Sequence, residues 1–501
     1  MKLKIQLLSA LMVSGMGMMS CNKGFENINT NPNTVNQTTP ESLLESALYD
    51  VVTRNQTRAL RITNELMQVH VTTSNSDEIH RYIIRPSESD YMWNNWYVQL
   101  LNIRTMYDVA QKLDDPAFKG ISRILEAWVY SLLTDTYGDV PYSEALKGYT
   151  NSIYQPKFDS QKDIYTDLLV KMEEANTLLQ TDKAYNAEII GRDPIYGKAI
   201  VANMATDANA ATAASNAFKA AWRKFGNTLY LRLLLRVSSK PETNAVARIK
   251  EICDTKKSSY PMFASNAESA VLRFTGIAPF VSAFNTYRDF DFNGDNGLSR
   301  FFINTLNDWE DPRRDAWANQ AGGVFEGIPS GYLPGAIPER MSTYKVTLKN
   351  EPLLGNIINY SELQFMLAEA ALKGYTGGDA KTLYENGVTN AITFWNLTVP
   401  AGHLQRPGVA WDAAELPEKK LEKIITQKYF TYFFTDFQMW FEYRRTGYPN
   451  LPKGPGLSNN GQMPSRLKYP VSVQSLNRTN YEKAAAAMGG DDINSKVWWN
   501  K

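Results

Sequence analysis

The chain has 501 residues, with 53 basic and 52 acidic side chains and a formal net charge of +1. This balance gives no support for a nucleic-acid partner, which would require a basic surface patch. There are two cysteines, Cys21 and Cys253, and Cys21 lies in the N-terminal leader, so the folded part has no disulfide framework.

The N-terminus has the pattern of a bacterial lipoprotein leader. Two lysines precede an apolar run that is too short to span a membrane comfortably. The run ends in GMMSC (residues 17–21), which resembles a lipobox, although Met18 stands where leucine or valine is usual. We predict a signal peptide over residues 1–20, lipidation of Cys21 and a flexible tether over residues 21–39. A plain secretory signal that contains a cysteine is the alternative.

Helical periodicity dominates the rest of the chain, residues 40–501. Apolar side chains recur at helical spacing in six stretches, residues 43–52, 93–107, 124–133, 164–179, 218–237 and 358–373. No long run alternates with the period of two that marks a half-buried strand. The sequence therefore predicts a mainly α-helical protein with few short strands, built from helix pairs that turns separate.

Residues 416–449 form the most aromatic stretch of the chain. Six large aromatic side chains follow one another at helical spacing: Phe430, Phe433, Phe434, Phe437, Trp440 and Phe441. Pro417 suits a first helical turn, Gly447 suits a left-handed cap, and Pro449 prevents continuation. We expect one helix here, buried on most sides, because an exposed aromatic face of this size would aggregate.

Several segments of the sequence resemble the SusD/RagB family, particularly its SusD-like lipoprotein branch. They occur in the family's order: DTYGDVPYSEAL, AWRKFGNTLYLRLLLRV, LNDWEDPRRDAW, YSELQFMLAEAALKGY, the aromatic stretch and the terminal VWWNK. The resemblance implies a scaffold of four tetratricopeptide-like helix pairs under an irregular, loop-rich ligand-binding half, in one unit over residues 40–501. It also implies an outer-membrane lipoprotein that faces the cell exterior and acts as a lid on a SusC-type TonB-dependent transporter.

The irregular half of the family corresponds here to residues 279–355, which are rich in glycine, proline, asparagine and aspartate. Flat aromatic rings can cover the apolar faces of sugars while polar neighbours bind the hydroxyls. We predict four ligand-binding residues in this region: Tyr287, Trp309, Trp317 and Tyr332. Local packing of the loop is the alternative for each. By contrast, helical spacing places Trp93 and Trp96 in the core, and Trp498 and Trp499 are expected to pin the chain end.

Motifs for catalysis, cofactors and metals give little signal. The chain has three histidines and no H-E-x-x-H pattern, P-loop or dinucleotide fingerprint, and we predict no cofactor. Residues 289–295 imitate the first half of an EF-hand loop, but Arg300 occupies the twelfth position, where a bidentate glutamate is required. A solvated acidic turn is the competing interpretation, so the sequence leaves a metal site open.

Four functions remain compatible with the sequence. The leading hypothesis is a lipoprotein that captures oligosaccharides and delivers them to the transporter. A RagB-like lipoprotein that captures peptides and a structural or adhesive helical-repeat protein are the alternatives among binding proteins. A helical glycosidase, whose two carboxylates no motif reveals, is the enzymatic alternative.

Overall fold

Long helices make up most of the protein in the computed structural model, which describes residues 38–74, 79–204 and 209–501. The predicted signal peptide, the lipidation site Cys21 and nearly all of the tether lie outside the described residues. Residues Pro40–Lys501 form one compact unit. None of the helices in the described ranges is long and apolar enough to cross a membrane.

The described residues contain eleven α-helices of nine or more residues. They are α1 (Pro40–Arg58), α2 (Ser87–Lys112), α3 (Pro116–Tyr137), α4 (Gln161–Leu178), α5 (Ala210–Arg236), α6 (Arg300–Asp308), α7 (Tyr360–Leu372), α8 (Ala380–Thr393), α9 (Pro417–Thr431), α10 (Gln438–Thr446) and α11 (Arg478–Met488). Shorter α-helical segments are Asn64–Leu66, Gly148–Asn151, Ala187–Gly191, Gly197–Ala202, Ala245–Lys250, Asp289–Asn293, Arg313–Trp317 and Val471–Leu476. Two π-helical turns, Ala59–Thr63 and Glu251–Thr255, continue helices.

Polar residues at the helix starts explain several of these boundaries. Asp115 accepts a hydrogen bond from the backbone N–H of Phe118 at the start of α3, at 3.1 Å. Ser160, Asn359 and Asp379 cap α4, α7 and α8 in the same way. Each cap satisfies a backbone donor that has no partner within the helix. From α1 to α5 each helix packs against the next, while α7 packs against α8 and α9, as the predicted helical hairpins require.

Six short strands form three antiparallel pairs in the described part of the chain. They pair β1 (His70–Thr72) with β5 (Asn296–Leu298), β2 (Val140–Pro141) with β3 (Phe158–Asp159), and β4 (Ala270–Val271) with β6 (Asn356–Ile358). The prediction of a mainly α-helical fold with few short strands is confirmed. The pair β1–β5 joins the first part of the chain to the irregular region.

The aromatic stretch is buried as predicted, but it is two helices rather than one. None of its six large aromatic side chains is more than 2% exposed. The helix ends at Thr431 and resumes at Gln438, and between them Phe434 has a φ of +59°, in the left-handed region. Asp436 then accepts a hydrogen bond from the N–H of Gln438 at 2.9 Å, which supports the new helix start. The predicted cap at Gly447 is confirmed, with a φ of +80°.

Packing on several sides accounts for the break. Phe433 stacks on Trp317, with ring centres 4.2 Å apart. The neighbouring Phe434 packs against Phe284 at 5.7 Å, and Phe437 packs against Trp96 at 5.6 Å. In a continuous helix the six rings would all lie on one face. Because the helix breaks, Phe433 and Phe434 contact the irregular region while Phe437 contacts α2 of the helical array.

A buried network of charges surrounds α10. Arg445 makes two bonds to the carboxylate of Glu369, at 2.5 and 2.7 Å, and Lys428 bonds to Glu442 at 2.8 Å. Burial alone would raise the pKa of Glu369, but the Arg445 and Lys373 cations outweigh it and lower the pKa to about 2. Since an unpaired buried charge is strongly destabilising, this network fixes how α7, α9 and α10 fit together.

The chain end is held in the core, as predicted. Trp499 is 3% exposed, and its indole N–H donates to Asp135 at 2.7 Å. Asp135 also bonds to Arg236 at 3.0 Å and accepts from the hydroxyl of Tyr165 at 2.8 Å. Trp498 is only partly buried and packs against Tyr165.

Candidate functional site

The four aromatic residues predicted to bind ligand do not share one surface. Trp309, Trp317 and Tyr332 are buried, with at most 5% of each side chain exposed, and only Tyr287 is half-buried. Stacking on a sugar requires an accessible ring face. Of the four, Tyr287 alone offers one in this structure.

The two tryptophans pack on the end of α9 and on the link that follows it. Trp317 is fully buried between Phe433, Trp395 and Phe302, with ring centres 4.2, 5.1 and 6.0 Å away. Trp309 meets Phe430 edge-on at 5.2 Å. Both side chains therefore pack inside the protein, as the local-packing alternative describes, because the irregular region covers the rings of Phe430 and Phe433 and shields them from water.

Tyr332 lies in a separate buried cluster beside the β1–β5 pair. Its hydroxyl donates to the carbonyl of Thr72 at 2.7 Å, and its ring packs 4.6 Å from that of His80. Nearby, His70 contacts the hydroxyl of Tyr344 at 2.7 Å and the carboxylate of Glu65 at 3.2 Å. These bonds are internal, so they position the strand pair and leave Tyr332 no free face.

Tyr287 belongs to a partly exposed group that we call the tyrosine–arginine surface: Arg54 and Arg58 of α1, Glu88 and Tyr91 of α2, and Tyr287. Arg58 bonds to Glu88 at 2.7 Å and lies over the ring of Tyr91, 4.1 Å from its centre. Arg54 donates to the Tyr91 hydroxyl at 3.0 Å. The arginines therefore hold the Tyr91 ring by a hydrogen bond and by cation–π contact.

The hydroxyl of Tyr287 faces the same group from the irregular region. Burial raises its pKa, the neighbouring Tyr91 adds to this increase, and Arg58 and a hydrogen bond with Thr57 oppose it. The Tyr287 ring rests edge-on against Phe284 at 5.4 Å. Since Phe284 packs on Phe434, the break in the aromatic stretch anchors the segment that presents Tyr287.

This arrangement combines two half-exposed phenol rings with charged hydrogen-bond donors and acceptors. The rings can pack on apolar ligand faces, and the guanidinium and carboxylate groups can bind ligand hydroxyls. The Arg58–Glu88 ion pair orders both side chains before a ligand arrives, which reduces the entropy lost on binding. Sequence reasoning found only Tyr287, because Arg54, Arg58, Glu88 and Tyr91 occupy ordinary polar positions of amphipathic helices.

Trp93 and Trp96 lie in the core, as their spacing predicts. Trp93 is 7% exposed and meets Tyr137 edge-on at 5.1 Å. Trp96 is fully buried, and its indole N–H donates to Asn55 at 2.8 Å.

The acidic residues 289–295 do not form a chelating loop. Residues Asp289–Asn293 are a short helix, in which Asp291 pairs with Arg288 at 2.6 Å and Asp289 with Lys349 at 3.0 Å. Across the ranges that the structure describes, no group of three or more histidine, cysteine, aspartate or glutamate side chains could hold a metal ion.

A cleft of about 840 Å³ lies elsewhere, between the segment Gly197–Ala202, the first half of α5 and residues 267–280. Its α5 wall consists mainly of alanines. Methyl groups provide neither flat rings nor hydroxyl partners along this wall, whereas the other walls carry Tyr196, Phe280, Lys198, Glu268 and Arg273. None of the four predicted ligand residues lines this cleft.

Comparison with known proteins identifies the family to which this fold belongs. A family model described as "Starch-binding associating with outer membrane" matches residues 32–202 and 215–470. The chain belongs to the SusD-like family. This description, one of glycan binding at the outer membrane, applies to the SusD-like family as a whole, and the resemblance drawn from the sequence segments is confirmed.

Solved SusD-like structures share the fold over nearly their whole length. A SusD homolog from Bacteroides fragilis NCTC 9343 is 24% identical, with a TM-score of 0.72, and the match covers 93% of this chain and 100% of that one. A SusD-like protein from Bacteroides thetaiotaomicron VPI-5482 is 21% identical, with a TM-score of 0.74 and coverages of 92% and 98%. A chitin-binding SusD homolog from Flavobacterium johnsoniae is 20% identical, with the same TM-score and coverages. No curated protein matches the chain.

Proposed function

We propose that this protein captures oligosaccharides at the cell surface and delivers them to a SusC-type TonB-dependent transporter. The family description supports glycan binding, and one structural relative is named for chitin binding. The observation that carries the proposal is the tyrosine–arginine surface. It is the place where a ring of the irregular region, Tyr287, meets ordered polar groups of the helical array and remains accessible.

Tyr287 and Tyr91 supply the aromatic contacts in this proposal. Arg54, Arg58 and Glu88 bind sugar hydroxyls, and the donors and acceptors among them suit a ligand that presents both kinds of group. Trp309, Trp317 and Tyr332 act as buried supports. They fix the irregular region on α9, on the link after α9 and on the β1–β5 pair.

Anchoring and delivery complete the proposal. Lipidation of Cys21 would hold the protein on the outer membrane, with residues 21–39 as the tether and the folded unit facing the cell exterior. A transporter of the SusC type is the partner that the sequence resemblance implies, and the protein would act as its lid.

Calorimetric titration of the mature protein with starch and chitin oligosaccharides tests the site. Replacing Tyr287 by alanine is expected to weaken binding about thirtyfold, since one anchoring aromatic contributes ~2 kcal/mol. Tyr149→Ala is the matched control, because Tyr149 is a fully exposed tyrosine on the separate segment Gly148–Asn151. Wild-type affinity in both Tyr287→Ala and Tyr91→Ala would refute this site.

Parallel assays separate the competing functions. Binding of a peptide panel, with no response to any glycan, would favour the RagB-like alternative. Release of shortened products from a bound glycan would establish a glycosidase. Copurification with a large β-barrel protein supports a transporter partner, whereas its absence from solubilised outer membranes would favour a structural or adhesive role.

A further inference from the structure

A small polar cavity lies where α1, α3, strand β6 and the link between α9 and α10 meet. Its volume is about 10 Å³. Five polar side chains line it, and each is at least 92% buried: Asn55, Gln56, Trp128, Asn356 and Asp436.

Each of these side chains carries a polar atom that has no hydrogen-bond partner among the described residues. The atoms are Asn55 Nδ2, Gln56 Nε2 and Oε1, Trp128 Nε1, Asn356 Oδ1 and Asp436 Oδ2. Most buried polar atoms in proteins are hydrogen-bonded, and leaving one unpaired is costly. Six such atoms around one cavity therefore indicate a common partner.

The chemistry of three of these atoms defines what that partner must do. Trp128 Nε1 can only donate. The Asn55 Oδ1 atom already accepts from the indole N–H of Trp96 at 2.8 Å, which fixes the free atom of Asn55 as its donating Nδ2. The Asp436 Oδ2 atom is a carboxylate acceptor. The partner must accept at least two hydrogen bonds and donate at least one.

We propose that this cavity binds one ordered water molecule. Water can accept two bonds and donate two, and the volume is about the 10–15 Å³ that a single molecule needs. A metal cation would face the two N–H donors of Trp128 and Asn55. A halide would face the carboxylate of Asp436, so neither ion satisfies the three fixed atoms.

The bound water also positions the ligand surface, an extension that rests on the proposed function. Asn55 and Gln56 point into the cavity from the same turn of α1 that presents Arg54 and Arg58 to the tyrosine–arginine surface. Phe434 borders the cavity as well and supports the segment of Tyr287 through Phe284. The water thus connects the two parts of the chain that form that surface.

Nuclear magnetic resonance of the indole N–H groups tests for the water. A cross-relaxation signal between water and the Trp128 indole N–H is expected, and its loss in Trp128→Phe assigns it. Trp440 provides an internal control, because its indole is also fully buried but its N–H already donates to the carbonyl of Pro464 at 2.8 Å. Absence of the Trp128 signal, an equal signal at Trp440, or an ion at the site in a high-resolution crystal structure would overturn the assignment.

Hydrogen exchange, read by mass spectrometry, tests the positioning role without any ligand. Trp128→Phe is expected to speed exchange of the backbone amides of residues 54–58 about tenfold, the scale of one lost buried hydrogen-bonded group. The control is Trp222→Phe, a fully buried indole that bonds directly to Asp193 at 2.9 Å.

A second variant covers the case in which Trp128→Phe fails to fold. Gln56→Met preserves the side-chain length while removing two of the unpaired atoms, and it should also speed exchange at residues 54–58. Unchanged exchange in the folded variants would refute the positioning role. This result would be independent of glycan titration, so failure of the proposed function and failure of the water site are distinguishable.

Discussion

Trp317 provides the sharpest test of how the irregular region is built. The sequence favours it as a ligand contact, whereas the structure buries it completely against three rings. Replacing a buried tryptophan by alanine destabilises a protein by about 3–5 kcal/mol. Aromatic pairs add ~0.5–1.5 kcal/mol each beyond area burial, and the stack on Phe433 at 4.2 Å is close, so we expect the upper half of that range.

The matched variant is Trp317→Phe. The indole N–H of Trp317 has no hydrogen-bond partner among the described residues, so phenylalanine removes volume but breaks no bond there. We therefore expect a loss of about 1–2 kcal/mol, well below that of Trp317→Ala. Urea unfolding followed by far-ultraviolet circular dichroism measures both values without relying on tryptophan fluorescence.

Glycan titration of the same samples completes this test. Both variants should bind with the wild-type affinity as long as they remain folded, because Trp317 is buried against Phe433 and does not contact the ligand in the proposed site. Stability within about 1 kcal/mol of wild type in Trp317→Ala, together with lost binding, would refute the reasoning. That pair of results would restore Trp317 as a sugar-stacking residue.

Three further predictions address the core, the charge network and the anchor. Trp440→Ala should cost about 3–5 kcal/mol in urea unfolding, since its ring is fully buried and its N–H donates to the carbonyl of Pro464 at 2.8 Å; an unchanged unfolding midpoint would contradict this. The folded-state pKa of Glu369, about 2, lies below the usual 4.5, so its stabilisation is present above pH 4.5 and is lost as the pH falls towards 2. Roughly 3 kcal/mol should disappear over this window, and Glu369→Gln should flatten the pH dependence. Cys21→Ala should abolish labelling by a radioactive fatty acid and release the protein from the membrane fraction, and persistent labelling would contradict lipidation at Cys21.

Periodicity and residue type were sufficient to predict much of the fold. The apolar stripes of residues 93–107 and 218–237 correspond to α2 and α5, and the burial of Trp96 follows from spacing alone. Gly447 was identifiable as a cap because few residues tolerate positive φ. These features depend on local chemistry, which the sequence displays directly.

The break at Phe434 could not be predicted in this way. Helical spacing continues from Phe430 to Phe441, and phenylalanine is an unusual residue for the left-handed region. The strain at Phe434 is offset by contacts with Phe284, Phe292 and Tyr344, residues that are distant in sequence. Tertiary packing therefore decides whether the strain at Phe434 is offset. The local sequence pattern does not contain these contacts and predicts one continuous helix.

The same cause explains why three of the four predicted ligand residues are buried. Loop residues are usually exposed, but Phe430 of α9 and Phe433 of the following link form an aromatic face that must be covered. The irregular region covers it with Trp309 and Trp317. Tyr287 escapes burial because it extends past this cover to α1 and α2. In the sequence, Arg58 and Glu88 look like solvated positions. Their ion pair, with the Arg58 guanidinium over the ring of Tyr91, gives them a shared role in this surface. This surface forms where the irregular region contacts α1 and α2. The sequence pattern of each segment predicts its own structure but not the contact between them.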